Sequence, residues 1–225
     1  MARVRLVVEG ITEERFVKTM LAEPLGAKGI FLLPQMVHTG GGSERIYKGG
    51  VTSYQRIKSD VTKLLKQESQ DDAFVTTMFD LYRLPNDFPG RVKAKPENDP
   101  LKKAAILENA FAEDIGAANF IPYVQLHEFE ALLFTDITKL TEFYVGAKSA
   151  VESLASSVEG IPPEHIDEGQ QTAPSKRIIE FIPEYERTKA TGGVIVATKI
   201  GLDAMLNSCQ HFGRWFKQLE SLKAG

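Results

Sequence analysis

The first 134 residues alternate between short apolar runs and amphipathic segments, and this alternation limits the possible folds more than any other feature of the chain. Apolar runs of strand length are followed by stretches with helical spacing, in the order β-α-β-α-β-α-β-α. Such an order predicts a mainly parallel sheet with right-handed crossovers and helices on both faces. The predicted strands are Arg3–Val8, Ile30–Val37, Ala73–Phe79 and Phe120–Leu126.

Capping and breaking residues set the boundaries of the predicted helices. Pro34, inside the second strand, predicts an edge position or a bulge, and the long loop Tyr82–Asp99 predicts either function or disorder. The helices of this part are predicted from an N-cap at Thr12 to a stop at Pro24, across Tyr54–Leu65, across Pro100–Ile115 and across Glu128–Phe134.

Strand signals fade after Thr135, and the remaining segments have helical spacing. We expect helices at Ala147–Ser157, Ser175–Ile182 and Val194–Leu222. The predicted organisation is therefore an α/β sheet domain over residues 1–134, followed by a helical C-terminal portion over residues 135–225 that packs on it.

Composition excludes several classes of protein. A chain of 225 residues with 43% hydrophobic content can bury one good core. It has no apolar run of about 18 residues to span a membrane and no signal-peptide core at its start, and its one cysteine, Cys209, excludes an internal disulfide and cysteine-rich zinc sites. A cytoplasmic protein is predicted. The net charge of −3 argues against a protein that grips nucleic acid over its whole surface, although residues 83–103 hold six basic side chains against three acidic ones.

Three of the four predicted strands end on a carboxylate, at Glu9, Asp80 and Glu128. The carboxyl ends of parallel strands meet at one edge of a sheet, where ligands gather. Unpaired carboxylates that close together repel each other, so one must take up a proton unless a divalent cation accepts their oxygen atoms as ligands. The sequence therefore predicts a site for Mg²⁺ or Mn²⁺ at this edge.

Further charged side chains are candidates for the same site. Glu13 lies one turn into the first helix and can point back towards Glu9, whereas Glu14 is expected to face away. One of Glu128 and Glu130 is expected to face the site and the other the solvent, with Glu128 favoured because it is nearer the strand end. Two basic residues at the start of a predicted helix can meet a substrate phosphate or serve as ordinary surface residues; these are Lys176 and Arg177.

Other catalytic motifs are absent. The chain has no phosphate-binding loop of the form Gly-x-x-x-x-Gly-Lys-Ser/Thr, no dinucleotide-binding Gly-x-Gly-x-x-Gly after the first strand and no Gly-x-Ser-x-Gly elbow. His127 and Glu128 do not begin a zincin motif, because the second histidine is replaced by Ala131. The glycine run at 40–42 predicts a mobile loop rather than a phosphate cradle, and Cys209 is predicted to be a core thiol.

The segment Val7-Val8-Glu9-Gly10-Ile11-Thr12-Glu13 resembles the opening motif of TOPRIM domains, especially those of OLD-type nucleases. Most of the chain also resembles the family called domain of unknown function 4276, which is considered TOPRIM-like. That wider resemblance rests on residues 79–85, 125–134, 173–177 and 200–202 in addition to the first motif.

The resemblance implies roles for individual residues. Glu9 is expected to be the first metal ligand or the general acid or base, Glu13 to assist a second metal ion, and Asp80 to be the first aspartate of an Asp-x-Asp pair. Tyr82 occupies the position of the second aspartate, and Glu128 or Glu130 is the candidate to replace it.

The function implied by the resemblance is Mg²⁺-dependent hydrolysis of nucleic acid, DNA rather than RNA, by an effector of phage defence that works with a separate ATPase protein. The alternative is a non-catalytic TOPRIM-fold effector or interaction module. A small-molecule phosphotransferase of haloacid-dehalogenase type is disfavoured, because Glu9 stands where that class has its aspartate nucleophile.

Overall fold

The computed structural model describes residues 1–37, 53–68, 72–166, 169 and 171–222. The predicted glycine loop at 40–43 lies outside these residues. A mainly parallel five-stranded sheet forms the centre, in the order β2-β1-β3-β4, with β5 also pairing with β3. The strands are β1 Ala2–Val8, β2 Ile30–Met36, β3 Ala73–Asp80, β4 Phe120–Ile121 and β5 Val124–Gln125. The predicted α/β class is confirmed.

Helices connect the strands and make up the C-terminal part, as predicted. No helix in the described ranges is long and apolar enough to cross a membrane. The helices are α1 Ile11–Phe16, α2 Ala22–Gly26, α3 Tyr54–Gln67, α4 Arg91–Ala94, α5 Pro100–Ile115, α6 Lys148–Ser157, α7 Pro174–Phe181, α8 Tyr185–Thr188, α9 Val194–Ile200, α10 Leu202–Ser208 and α11 Gln210–Glu220, with 3₁₀ turns at Leu81–Arg83, Phe129–Glu142 and Pro163–His165 and π turns at Val17–Leu21 and Lys189–Gly193.

Strand β2 is an edge strand, as Pro34 predicted. The N–H of Val37 donates to the carbonyl of Val8, and the carbonyl of Gly29 accepts from Ala2, so the odd-numbered residues of β2 bond to β1. Because bonding direction alternates along a strand, Pro34 presents its nitrogen to the open edge. Proline has no N–H to donate there, which makes this edge a poor template for another strand.

The first helical region differs from the prediction at both ends. Helix α1 begins at Ile11 with Gly10 as its cap and no side-chain hydrogen bond, so Thr12 is not the N-cap. The chain also continues past Pro24 to Gly26. A π turn precedes the proline, in which the N–H of Ala22 bonds to the carbonyl of Val17. Pro24 consequently falls in the first turn after that widening, where a missing N–H costs little.

Two long predicted elements are interrupted. The fourth predicted strand is divided into β4 and β5 at Pro122 and Tyr123. The single helix predicted for 194–222 is three helices, because Gly201 has φ +87° and Cys209 is extended with φ −107° and ψ 93°. Backbone conformations outside the helical region end a helix regardless of its apolar spacing.

The sheet is covered on both faces. One core contains Val4, Leu6 and Val8 of β1 together with α1 and most of the C-terminal helices. The other contains Val7, Val75 and Phe79 together with α3 and α5. The C-terminal part also bonds to the sheet itself, since Trp215 Nε1 donates to Thr76 Oγ1 at 3.0 Å in the buried interior.

Candidate functional site

Five acidic side chains predicted from the sequence meet at the carboxyl edge of the sheet. The register pairs Val8 with Met78 and Asp80 with Gln125, which brings the ends of β1, β3 and β5 side by side. Their side chains are 3–7% exposed, and each contributes to the electrostatic environment of others in the group. We call these residues the carboxylate cluster: Glu9, Glu13, Asp80, Glu128 and Glu130.

Glu9 has the least satisfied side chain of the cluster. Its Oε1 atom is buried and accepts no hydrogen bond from any described residue; the nearest cation is Arg83, whose Nη1 lies 3.7 Å away. Burial, followed by repulsion from Glu13, raises the pKa of Glu9 to about 7, against the opposing charge of Arg83. An unsatisfied buried carboxylate oxygen is costly unless a proton or a cation reaches it.

Asp80 and Glu13 are held beside Glu9. Asp80 Oδ1 accepts the backbone N–H of Phe129 at 3.0 Å, and burial together with repulsion from Glu13 and Glu9 raises its pKa well above the ordinary value. Burial also raises the pKa of Glu13, with backbone N–H groups opposing and Glu130 adding to the rise. Gly10 leaves room for this arrangement, because a Cβ atom there would lie 3.2 Å from Glu13 Oε2.

Glu128 and Glu130 are both buried, each 3% exposed, so the expectation that one of them faces solvent is wrong. Glu128 has extended backbone (φ −144°, ψ 163°) before a 3₁₀ turn, so the two side chains are not placed as on an α-helix. Glu128 Oε2 accepts the N–H of Ser175 at 2.9 Å. Glu130 Oε1 accepts the hydroxyl of Tyr185 at 3.1 Å and lies 3.2 Å from Lys189 Nζ.

The cluster carries more negative charge than its neighbours neutralise. Five carboxylates face two cations, Arg83 and Lys189, so three negative charges remain if every acid is ionised. Burial raises the pKa of Glu130 despite Lys189. Burial alone lowers the pKa of Lys189, but Glu130 and Glu128 outweigh it and raise that pKa. The cluster must therefore hold protons or attract a cation.

The carboxylate oxygens do not converge into a ready cage. Within the described ranges, no group of three or more histidine, cysteine, aspartate or glutamate side chains is arranged to hold a metal ion. Asp80, Glu128 and Glu130 instead direct oxygens to partners within the protein. The unsatisfied oxygen of Glu9 fits a cation, and further ligation requires rotation of neighbouring carboxylates away from their present partners.

The remaining sequence candidates lie outside this cluster. Glu14 pairs with Lys18 at 2.7 Å and faces away, as expected. Lys176 is exposed, and Arg177 donates from Nε to the carbonyl of Thr172 at 2.8 Å. They directly follow Ser175, whose N–H bonds Glu128, and neither side chain bonds to the cluster.

Sequence reasoning missed three side chains of the site and one strained residue. Arg83 lies three positions after Asp80, but the sequence indicates only that it belongs to a basic loop. Tyr185 and Lys189 come from the C-terminal part, more than 50 residues after Glu130, and no local signal connects them to it. His127 has φ +60°, which is rare for a residue other than glycine, and its Nε2 lies 3.1 Å from the carbonyl of Glu164. Such backbone strain is concentrated at functional sites.

This geometry defines an α/β protein with a buried acidic cluster at the carboxyl edge of its sheet. Comparison with known families identifies it further: the chain belongs to the family described as Domain of unknown function (DUF4276), whose model matches residues 8–220. That match includes every residue of the carboxylate cluster. No curated protein and no solved structure matches the chain.

Proposed function

We propose that this protein is a Mg²⁺- or Mn²⁺-dependent nuclease of TOPRIM type that hydrolyses phosphodiester bonds in nucleic acid. The observation that supports the proposal most is the unsatisfied, buried Oε1 of Glu9 in a cluster of five buried acids. Carboxylate oxygens are the ligands that hard divalent cations prefer, and a cation bound at such a site activates water and stabilises the leaving oxygen of a phosphodiester.

The position of each side chain in the cluster suggests its role in binding cations. Glu9 follows β1 and Asp80 is the last residue of the neighbouring strand β3, and these two are the first cation ligands. Glu13 serves a second cation, and Glu128 or Glu130 supplies the oxygen missing where Tyr82 replaces the second aspartate of the TOPRIM pattern. Arg83 is the cation nearest to Glu9 and is 39% exposed, so it can also meet a substrate phosphate.

Resemblance to OLD-type nucleases extends the proposal to partners. A separate ATPase protein would regulate or deliver substrate, and phage defence in the cytoplasm is the setting in which such pairs work. DNA is the favoured substrate over RNA. The acidic net charge of −3 agrees with a chain that does not grip nucleic acid over its entire surface.

The test is metal-dependent cleavage of DNA and RNA, with and without a candidate ATPase partner, by the wild type and three variants. Glu9→Gln keeps the shape of the side chain but removes its charge, and we expect it to abolish cleavage. Glu13→Gln should cost less if Glu13 serves only a second cation. Glu14→Gln is the matched control and should cleave like the wild type, because Glu14 pairs with Lys18 outside the cluster. Cleavage that survives Glu9→Gln would place the chemistry elsewhere.

A second candidate function is a non-catalytic effector or interaction module. Two observations favour it: Asp80 and Glu128 accept backbone N–H groups of Phe129 and Ser175, and Tyr82 stands in place of the second aspartate. In that case Asp80 holds the segment after β5, and Glu128 holds the C-terminal part, at the edge of the sheet. An absence of cleavage under every metal and partner condition, together with loss of folding in Asp80→Ala, which leaves the N–H of Phe129 without its acceptor, would support this candidate over the nuclease.

A further inference from the structure

The segment that follows Asp80 carries an exposed group of basic side chains on a well-packed support. Leu84, Phe88 and Ala94 are 3–5% exposed and anchor the segment in the core shared with α3 and α5. Gly90 has φ +78°, and a Cβ atom there would lie 2.9 Å from the Cβ of Ala110 on α5. The predicted loop of 82–99 is therefore packed against α5. Of the two alternatives expected for it, function or disorder, the packing favours function.

Basic and acidic side chains in this segment are used differently. All three acids bond to backbone N–H groups within the protein. Asp87 accepts from Tyr54 at 2.9 Å at the start of α3, Asp99 accepts from Leu101 at 2.9 Å at the start of α5, and Glu97 accepts from the N–H of Asp99 at 2.9 Å. Helix N-termini carry positive partial charge, so the negative charges of Asp87 and Asp99 are already compensated at the starts of α3 and α5.

The basic side chains are not compensated in this way. Lys93, Lys95 and Lys102 are exposed and Arg91 is half-buried; none of them has an ion pair with any residue that the structure describes. Arg83, the first of the series, reaches the carboxylate cluster through Glu9. We call this group the basic surface: Arg83, Arg91, Lys93, Lys95 and Lys102.

Chain topology places the basic surface beside the candidate site. Helix α5 connects the parallel strands β3 and β4, so its first turn, with Asp99 and Lys102, lies at the carboxyl edge of the sheet. The cluster occupies the same edge. Helix α4 lies along α5, since Gly90 approaches the carbonyl of Ile106. The basic surface therefore includes Arg83 at the cluster and Lys102 in the first turn of α5 at the same edge.

We propose that the basic surface binds the phosphate backbone of a nucleic acid strand and holds it across the carboxylate cluster. The choice of a nucleic acid rests on the proposed nuclease function. A polyanion is repelled by the cluster when its acids are ionised, so cations beside the cluster are needed to hold it there. A single phosphate would need only Arg83, whereas a row of five basic residues suits a chain of several nucleotides.

The test is fluorescence anisotropy with a labelled 20-nucleotide single strand and the matching duplex, over a range of salt concentration, in EDTA and in Ca²⁺. The variant K93Q/K95Q/K102Q removes three exposed charges that form no internal ion pair. The control K66Q/K148Q/K217Q removes the same number of exposed lysines on α3, α6 and α11. Circular dichroism melting should show both variants folded.

For single-stranded DNA, three lost phosphate contacts should reduce the slope of log K against log salt by about 2 and weaken binding at 0.1 M salt by roughly 100-fold. The control should bind within about twofold of the wild type. The inference is overturned if both variants bind like the wild type, or if the wild type shows no salt-dependent binding. It is also overturned if K93Q/K95Q/K102Q loses binding to poly-glutamate but not to DNA, which would identify an acidic protein as the occupant.

Binding and cleavage separate the two proposals. A wild type that binds DNA through the basic surface but never cleaves it refutes the nuclease proposal and leaves the inference standing. If K93Q/K95Q/K102Q cleaves and binds DNA like the wild type, only the inference about the basic surface is refuted.

Discussion

Glu9→Gln should stabilise the metal-free protein at neutral and alkaline pH while removing the proposed nuclease activity. Folding raises the pKa of Glu9 from 4.5 to about 7, mainly because the side chain is buried. Each pKa unit corresponds to about 1.4 kcal/mol, so ionised Glu9 lowers the free energy of unfolding by about 3 kcal/mol. Glutamine has the same shape and no charge, and it avoids this cost.

The sign of the pH dependence follows from proton binding. Between about pH 4.5 and 7 the folded protein keeps the Glu9 proton that the unfolded chain has released, so the folded state binds more protons. The contribution of Glu9 to stability is therefore fully present below pH 4.5 and is lost as pH rises through about 7. Glu9→Gln should differ little from the wild type at pH 4.5 and be more stable at pH 8.

The assay is thermal and urea unfolding in EDTA at pH 4.5 and pH 8. At pH 8 the variant should melt roughly 6–12 °C above the wild type, from about 2–4 °C per kcal/mol in a protein of this size. Glu14→Gln is the control, because its surface pair with Lys18 is worth less than about 1 kcal/mol. Equal destabilisation of Glu9→Gln at both pH values would refute the reasoning and make Glu9 a structural partner of Arg83.

Three further predictions concern the same site. Mg²⁺ or Mn²⁺ at about 100 times its dissociation constant should raise the free energy of unfolding by roughly 2.7 kcal/mol in the wild type and by much less in Glu9→Gln; an unchanged melting temperature in both would contradict a cation site. Lys189→Gln leaves Glu130 without its cation and should cost about 1–3 kcal/mol at pH 8, and less as the pH falls, because burial raises the pKa of Glu130 and its protonation removes the unpaired charge; equal losses in urea unfolding at pH 8 and at low pH would exclude this coupling. Gly193→Ala places a Cβ atom 2.9 Å from the Tyr185 hydroxyl and should cost about 1–3 kcal/mol, whereas Gly26→Ala, with open space around it, should be neutral or stabilising, as melting of both variants would show.

Local sequence signals predicted the strands and the ends on which the acids lie, because both depend on neighbouring residues. An apolar run followed by Glu9 and Gly10 defines a strand and its exit without reference to the rest of the chain. Pro34 likewise indicated an edge strand through its missing N–H. Parallel pairing then brought Glu9 and Asp80 to one edge, since β1 and β3 are neighbours in the sheet.

Predictions failed where backbone conformation or distant contacts decide the outcome. Apolar spacing continues through Gly201 and Cys209, yet their dihedral angles end α9 and α10. Thr12 is a common capping residue, but Gly10 caps the helix two residues closer to the strand end. That earlier start places Glu13, which is 7% exposed, against the sheet edge. The predicted cap residue was therefore wrong, although the predicted position of Glu13 near Glu9 was right.

Strand ends identify the acidic residues of the site but not the cationic side chains that neutralise part of their charge. Lys189 lies in a π turn and pairs with Glu130. Arg15 contacts the same turn, because its Nη1 donates hydrogen bonds to the carbonyl of Ala190 and to the hydroxyl of Thr191. Gly193 lets the same turn approach Tyr185, which also bonds Glu130. The C-terminal part thus supplies a counter-charge and a hydrogen-bond donor to a carboxylate carried by the segment after β5. The charge that remains on the cluster, and therefore its affinity for a cation, depends on both parts of the chain.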